Sequence, residues 1–417
     1  MISFFHYLLL VLLLLRPQEV VPALAGVPVV QVTMLMALTS WLFTRDKGLE
    51  LPPFRVLLLL VGVMCLGVGV NGWWGGMPGV VTELAPAIAI FLVAGVASRD
   101  IRTFNGTAGV LVACSMLLVW HSQVQMATGI GPISEIKPVD GRPYYVGTLA
   151  DPNDLGQLFA MSLALATYLL GRQQHWLRRL AMLGIMGWLG YGIVLTDSRG
   201  ALLSAVAVLG VAGMQRFGKI AVLTGAALSV PVLLTATRLG QLNPDEESAA
   251  GRVEAWYEGL QMLREHPLFG VGYRNFTDHY YLTAHNFLVL PMAELGLLGF
   301  PLWLALVWYT VRYTWWIAYG PHADWPTELA PAALAELKAG QALMLVLLAF
   351  GISSFFLSQS FKFQIFLLMG LAVARFMAAS RVLPDPPTYR LSSDLPKIAL
   401  NAAVVIVVMY VVVRVLL

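Results

Sequence analysis

A histidine, two arginines and a polar loop are the parts of this sequence that can do chemistry. His285 stands in Ala284-His285-Asn286 at the mouth of a long apolar segment, and an imidazole with an ordinary pKa of about 6.5 accepts a proton near neutrality. Arg199, in Ser198-Arg199-Gly200, and Arg252, in Gly251-Arg252-Val253, each offer a planar fork of donors matched to phosphate oxygens. Transfer from a diphosphate-activated donor needs this pair of functions: cations that stabilise the departing diphosphate and a base that takes the acceptor proton. Each residue also has a plainer reading. His285 would cap the segment that follows it, Arg199 would pair with Asp197 or snorkel to an interface, and Arg252 would pair with Glu254 or Glu258.

The elements that must hold these residues are membrane helices. Of 417 residues, 58% are hydrophobic and only 12% charged, against about 25% charged in a soluble domain. Cutting at charged, Gly and Pro clusters leaves about thirteen apolar segments near the length a bilayer requires: 3–15, 27–44, 54–71, 79–97, 106–126, 154–171, 178–196, 200–215, 219–236, 285–311, 339–358, 362–380 and 397–416. The first is short, runs into Arg16-Pro17 and lacks the basic flank and cleavage site of a signal peptide, so it reads as a retained, broken or tilted span. The fold expected is an all-α polytopic membrane protein. Lys and Arg concentrate in alternate loops (Arg45, Lys47 and Arg55; Arg99 and Arg102; Arg172, Arg178 and Arg179; Arg216 and Lys219; Arg375, Arg381 and Arg390), which puts the N-terminus in the cytoplasm.

Three stretches then fall outside together: 127–153, the turn Thr196–Gly200, and 237–284. The last sets four arginines against seven acids, for a formal charge of −3, so an anion there would be held by placed guanidinium groups rather than by a general field. Within it Val253, Trp256, Tyr257, Leu260 and Leu263 repeat at helical spacing, marking an amphipathic helix able to lie against the membrane face. Pro267, Gly270 and Gly272 stop it and return the chain towards His285. The segment 313–337 reads as a cytoplasmic connector.

Arg274 is a further candidate for the diphosphate. Lys137, Arg142, Tyr145 and Asn153 in the first outer stretch, with Trp256 and Asn286, are candidates to touch a glycan or its acceptor. Asp151-Pro152-Asn153-Asp154 opens a span, and Asp151 or Asn153 reads as its cap with Pro152 in the first turn; a divalent cation on the two acids is the alternative. Glu83 and Glu294 lie within spans, which is costly unless they are partnered or functional. No phosphate loop with Lys-Ser/Thr, paired-His zinc motif or nucleophile elbow is present, and the small net charge of +3 gives nucleic-acid binding no support. Cys65 and Cys114 sit in separate apolar segments and read as core fillers. A substrate carried by a lipid and already activated by diphosphate suits an outer face that has no cytosolic nucleotides.

The set Ser198-Arg199-Gly200 with Leu203, Arg252 with Trp256, His266-Pro267-Leu268-Phe269-Gly270-Val271-Gly272, and His285-Asn286 followed by Gly296 and Gly299 resembles the O-antigen ligase family, which shares its core domain with polysaccharide polymerases and protein O-oligosaccharyltransferases. The resemblance covers roughly the second half of the chain. It implies a GT-C-like, metal- and cofactor-independent inverting glycosyltransferase of the bacterial inner membrane, with about twelve spans and an active site facing the periplasm. The glycan would pass from undecaprenyl diphosphate to a sugar hydroxyl of lipid A-core, or, in a polymerase, of another lipid-linked glycan. His285 would be the base, and Arg199 and Arg252 would grip the diphosphate. The apolar stretch after residue 396 is an additional span. A transporter of lipid-linked glycans, which needs the cations but no base, is the rival from another class.

Overall fold

The computed structural model describes residues 1–236, 247–321 and 329–417. The chain is helical: α1 (Ile2–Leu15), α2 (Pro17–Val20), α3 (Val29–Leu42), α4 (Pro52–Val70), α5 (Met77–Ala97), α6 (Ile101–Thr128), α7 (Pro152–Arg172), α8 (Trp176–Leu195), α9 (Arg199–Ala236), α10 (Glu247–Glu265), α11 (Phe276–His279), α12 (Val289–Tyr319), α13 (Pro331–Ser354), α14 (Phe363–Ala379) and α15 (Leu391–Leu416). Among the described residues nine helices are long and apolar enough to cross a membrane, and Val29–Leu42 and Phe363–Ala379 are shorter apolar helices. Every apolar segment expected from the sequence falls on a helix. The expected spans 200–215 and 219–236 are two helices that meet within α9 at a kink, where Gly218 has non-helical backbone (φ 81°, ψ 167°). The connector expected at 313–337 is shorter, because α12 runs on to Tyr319 and α13 already begins at Pro331; residues 322–328 of it lie outside the described residues.

Sequence explains most helix ends. Asp151 accepts a hydrogen bond from Asn153 N (2.6 Å) with Pro152 in the first turn of α7, so the capping reading of Asp151 holds. Asp100 caps α6 in the same way, and Arg16, in left-handed backbone, ends α1.

The long helix α12 is broken at Gly296, where the backbone turns to φ 61°, ψ −165°. The break leaves the carbonyls of Ala293 and Glu294 and the amides of Leu297 and Leu298 without helical partners. The turn that precedes α11 supplies them: Val271 N donates to Ala293 O (2.9 Å), Gly272 N to Glu294 O (3.1 Å), Leu297 N to Pro267 O (2.7 Å) and Leu298 N to Leu268 O (3.0 Å). Unmatched backbone groups at membrane depth are costly, so this clamp lets a membrane helix tolerate its break. A side chain at Gly270 (φ 65°) would overlap Ala293 O, and one at Gly296 would overlap Gly270 N, which is why both positions are glycine.

Ion pairs mark two ends of the bundle. At one, Arg375 is fully buried and bonds Glu336 (3.0 Å) and the Arg99 carbonyl, while Asp46 pairs with Arg99 (3.0 Å) and Arg381 (2.9 Å). These are arginines of the loops assigned to the cytoplasm. At the other end lie Arg16, Asp154, Arg274, His285 and Lys362. The amphipathic helix α10 covers α12 and α15, so its apolar face is spent on protein, with Trp256 and Leu263 buried, rather than on the membrane surface as the sequence suggested.

Gly270→Ala and Gly296→Ala are each expected to lower the thermal unfolding midpoint, since left-handed backbone alone costs a side chain about 1–3 kcal/mol before the overlap is counted. Gly184→Ala, in open space within α8, should hold or raise it. Equal midpoints for all three in differential scanning fluorimetry would remove the clamp from this role.

Candidate functional site

A cavity of about 820 Å³ opens at the end opposite Arg375, lined by residues of α1, α5, α7, α12, α14 and the loops between them. Its polar lining comprises His285, the cations Arg16, Arg274 and Lys362, the acids Glu83, Asp151, Asp154 and Glu294, and the hydroxyls of Thr148, Tyr273, Thr277, Thr283 and Ser358.

His285 is half-buried and holds left-handed backbone (φ 44°), a conformation that costs a non-glycine residue energy and collects at functional sites. Its amide donates to Ser358 Oγ (3.0 Å), and Ser358 Oγ in turn donates to Thr283 Oγ1 (3.0 Å). Asn286 is fully buried, and its Oδ1 accepts from Leu288 N (2.8 Å) and Val289 N (3.0 Å) in the turn that leads into α12. Its Nδ2 donates to Phe355 O (3.0 Å), and the Trp256 ring meets the Phe355 ring edge-on at 5.4 Å. Asn286 and Trp256 therefore grip the turn that carries Ser358, and through it His285. As a pair they position the histidine, and neither presents an open face for a glycan. Burial holds the His285 pKa below its ordinary value, the charge of Arg252 pushes the same way, Asp151 opposes and Lys362 adds to the lowering. The lowering favours the neutral ring, the form a base needs.

Lys362 pairs with Asp154, which also accepts from Gln359, and Lys362 Nζ reaches Thr148 O (3.4 Å). Arg274, also in left-handed backbone, pairs with Glu83 at 2.6 Å, and Arg16 pairs with Glu19. Glu294 is buried; Oε1 accepts from Phe276 N (3.4 Å), while Oε2 has no hydrogen-bond partner among the described residues. Asp151 and Asp154 face protein donors, so the alternative of a cation held between them is not supported by their hydrogen bonds.

Of the expected residues, the structure brings His285 and Arg274 into one cavity, with Arg252 near enough for its charge to act on the imidazole. Arg199 begins α9 beside Gly200, which backs onto Ser353 and Phe356, and does not line the cavity. Arg142 donates to Thr196 O (2.9 Å) and Asn153 Oδ1 (2.9 Å), tying the first outer loop to the turn that precedes Arg199. Lys137 is exposed and lies outside the lining. Tyr145 is a correction: it is completely buried with its hydroxyl donating to Leu15 O (2.7 Å), so it anchors the loop instead of meeting a glycan. Sequence reasoning missed Arg16 and Lys362. Both stand at outer ends of apolar segments, where the positive-inside rule makes a cation unusual, and that was the signal available.

The Gly270 and Gly296 clamp and Asn286 fall inside one recognisable unit. Residues 184–304 match the O-antigen ligase family. No curated protein matches the chain. The matched residues carry Arg199, Arg252, Arg274 and His285, while Arg16, Asp154 and Lys362 reach the cavity from outside the match.

The electrostatics give a signed expectation for the acidic limb of the pH–rate profile. A lowered His285 pKa puts the loss of activity below about pH 6.5. Arg252→Gln and Lys362→Gln, by removing positive charge, should move that limb to higher pH, and Asp151→Asn should move it lower. A limb that stays in place in all three variants would show that it does not report His285.

Proposed function

We propose that the chain transfers a glycan from an undecaprenyl-diphosphate donor to a sugar hydroxyl of an acceptor at the periplasmic face of the inner membrane, with inversion at the anomeric carbon. The observation that carries this reading is a half-buried histidine within a cavity whose lining also supplies three cations. His285 takes the proton of the acceptor hydroxyl as its oxygen bonds to the anomeric carbon. The bond from that carbon to the diphosphate breaks, and the electron pair leaves on the phosphate oxygen. Arg252, Arg274, Lys362 and Arg16 stabilise the charge that develops there, with Arg16, Arg274 and Lys362 exchanging part of their carboxylate pairing for phosphate. Arg199 acts on the donor from the mouth of α9.

A lipid A-core acceptor makes the enzyme a ligase, and a lipid-linked glycan acceptor makes it a polymerase. The ligase is the leading assignment. A transporter would need the cations alone, and the restraint of the His285 backbone through Ser358, Asn286 and Trp256 favours an enzyme.

Purified protein given a lipid-linked glycan and lipid A-core should release free lipid diphosphate and form a glycosylated core. His285→Ala should bind donor normally and form no product; product at the unsubstituted rate would exclude the base assignment. Arg252→Ala should weaken donor engagement by about 1.5–3 kcal/mol, as a lost charged hydrogen bond does, and Arg199→Ala, at a residue outside the cavity lining, by less. Lysine at either position should restore only part, since a point charge lacks the fork.

A further inference from the structure

A second cavity, of about 520 Å³, lies between α10 and α15, away from the histidine. Its walls are apolar, formed by Leu260 and Leu263 of one helix and Ile406, Val407 and Val413 of the other. Arg264 and Arg414 share this groove with Tyr257 and Tyr410.

The two guanidinium groups differ from the cations of the first cavity. Arg16, Arg274 and Lys362 each have a carboxylate partner. Arg264 bonds only the neutral Gln261 (3.5 Å), and Arg414 only the Tyr410 hydroxyl (3.2 Å) and ring. Among the described residues no acid pairs with either, although Glu258 and Glu265 lie on the same helix as Arg264. Two like charges on one groove without a counter-ion repel each other, and an anion between them relieves that repulsion.

The surroundings say which anion. The helix α15 is the most apolar of the candidate spans, with mean hydropathy 2.5 and only 22% of its window buried, so most of its surface faces lipid. Tyrosines beside arginines at the end of such a helix are typical of the level where headgroups meet acyl chains. The groove therefore pairs a cationic rim with an apolar trough on the scale of one acyl chain. A free phosphate would leave the trough unfilled, and a zwitterionic lipid would bring its own cation to the rim.

We propose that this groove binds one anionic phospholipid, its phosphate between Arg264 and Arg414 and an acyl chain along Leu260, Ile406 and Val407. The lipid joins α15, which lies outside the O-antigen ligase match, to the helix that carries Arg252, and so links the C-terminal span to the active-site loop.

The test is retention of lipid by the detergent-purified full chain, counted by native mass spectrometry after equal exposure to phosphatidylglycerol and phosphatidylcholine of identical chains. One phosphatidylglycerol should be retained about tenfold over phosphatidylcholine, as headgroup charge recognition requires. An Arg264→Gln, Arg414→Gln double variant should hold the two lipids equally; both side chains are exposed, so the fold should survive. Val407→Trp, which fills the trough and keeps both charges, should also lose phosphatidylglycerol. Equal retention by the unsubstituted protein, an undiminished preference in either variant, or displacement of the lipid by inorganic phosphate would overturn the proposal.

Discussion

Four backbone hydrogen bonds between Pro267–Gly272 and the broken turn of α12 are the constraint on which the site depends. A helix interrupted inside a bilayer exposes groups that lipid cannot satisfy. Here a segment from the preceding loop meets them one for one, and in doing so is fixed in position. Tyr273 and Arg274 follow directly from the clamped turn, Glu294 is held where Oε1 takes the Phe276 amide, and Asn286 Oδ1 takes the amides at the start of α12. The glycines at 270 and 296 let the two backbones approach. Thus a break in a span becomes the means by which a loop is docked against it.

The cavity beside the clamp is lined by charged groups of both signs. Its cations are held by acids from distant parts of the chain: Glu83 of α5 faces Arg274, and Asp154 of α7 faces Lys362 at the entry to α14. Such pairs contribute little net stability near a surface, but they fix where guanidinium and ammonium groups stand. The histidine gains a different environment, half-buried among positive neighbours, and remains a base. The buried Arg375–Glu336 pair at the other end has no part in this chemistry. It closes the bundle where the positively charged loops gather.

The fold was legible because membrane helices announce themselves by composition: twenty apolar residues have few other uses. Even so, hydropathy could not separate α12 from its continuation past residue 311, since Trp315, Trp316 and Tyr319 are amphipathic at interfaces and read as connector. His285 and Arg274 were found because their residue types and their place at an outer boundary are informative together. Arg16 and Lys362 were not, because each is a single cation whose meaning depends on partners far away in sequence. Tyr145 and Asn286 looked like ligand-binding residues for the same reason that they make good anchors: a phenol or amide that can bond a sugar can equally bond a backbone carbonyl. The motif His266–Gly272 was recognisable, but its purpose became clear only with the Gly296 break in view.

The most direct test of the account is the structure of the protein with a polyprenyl-diphosphate glycan bound. The diphosphate should lie in the cavity shared by His285, Arg274 and Lys362, with the anomeric carbon turned to the imidazole and the clamp between Val271 and Ala293 intact. Diphosphate bound outside that cavity, or a His285 ring facing away from the sugar, would contradict it.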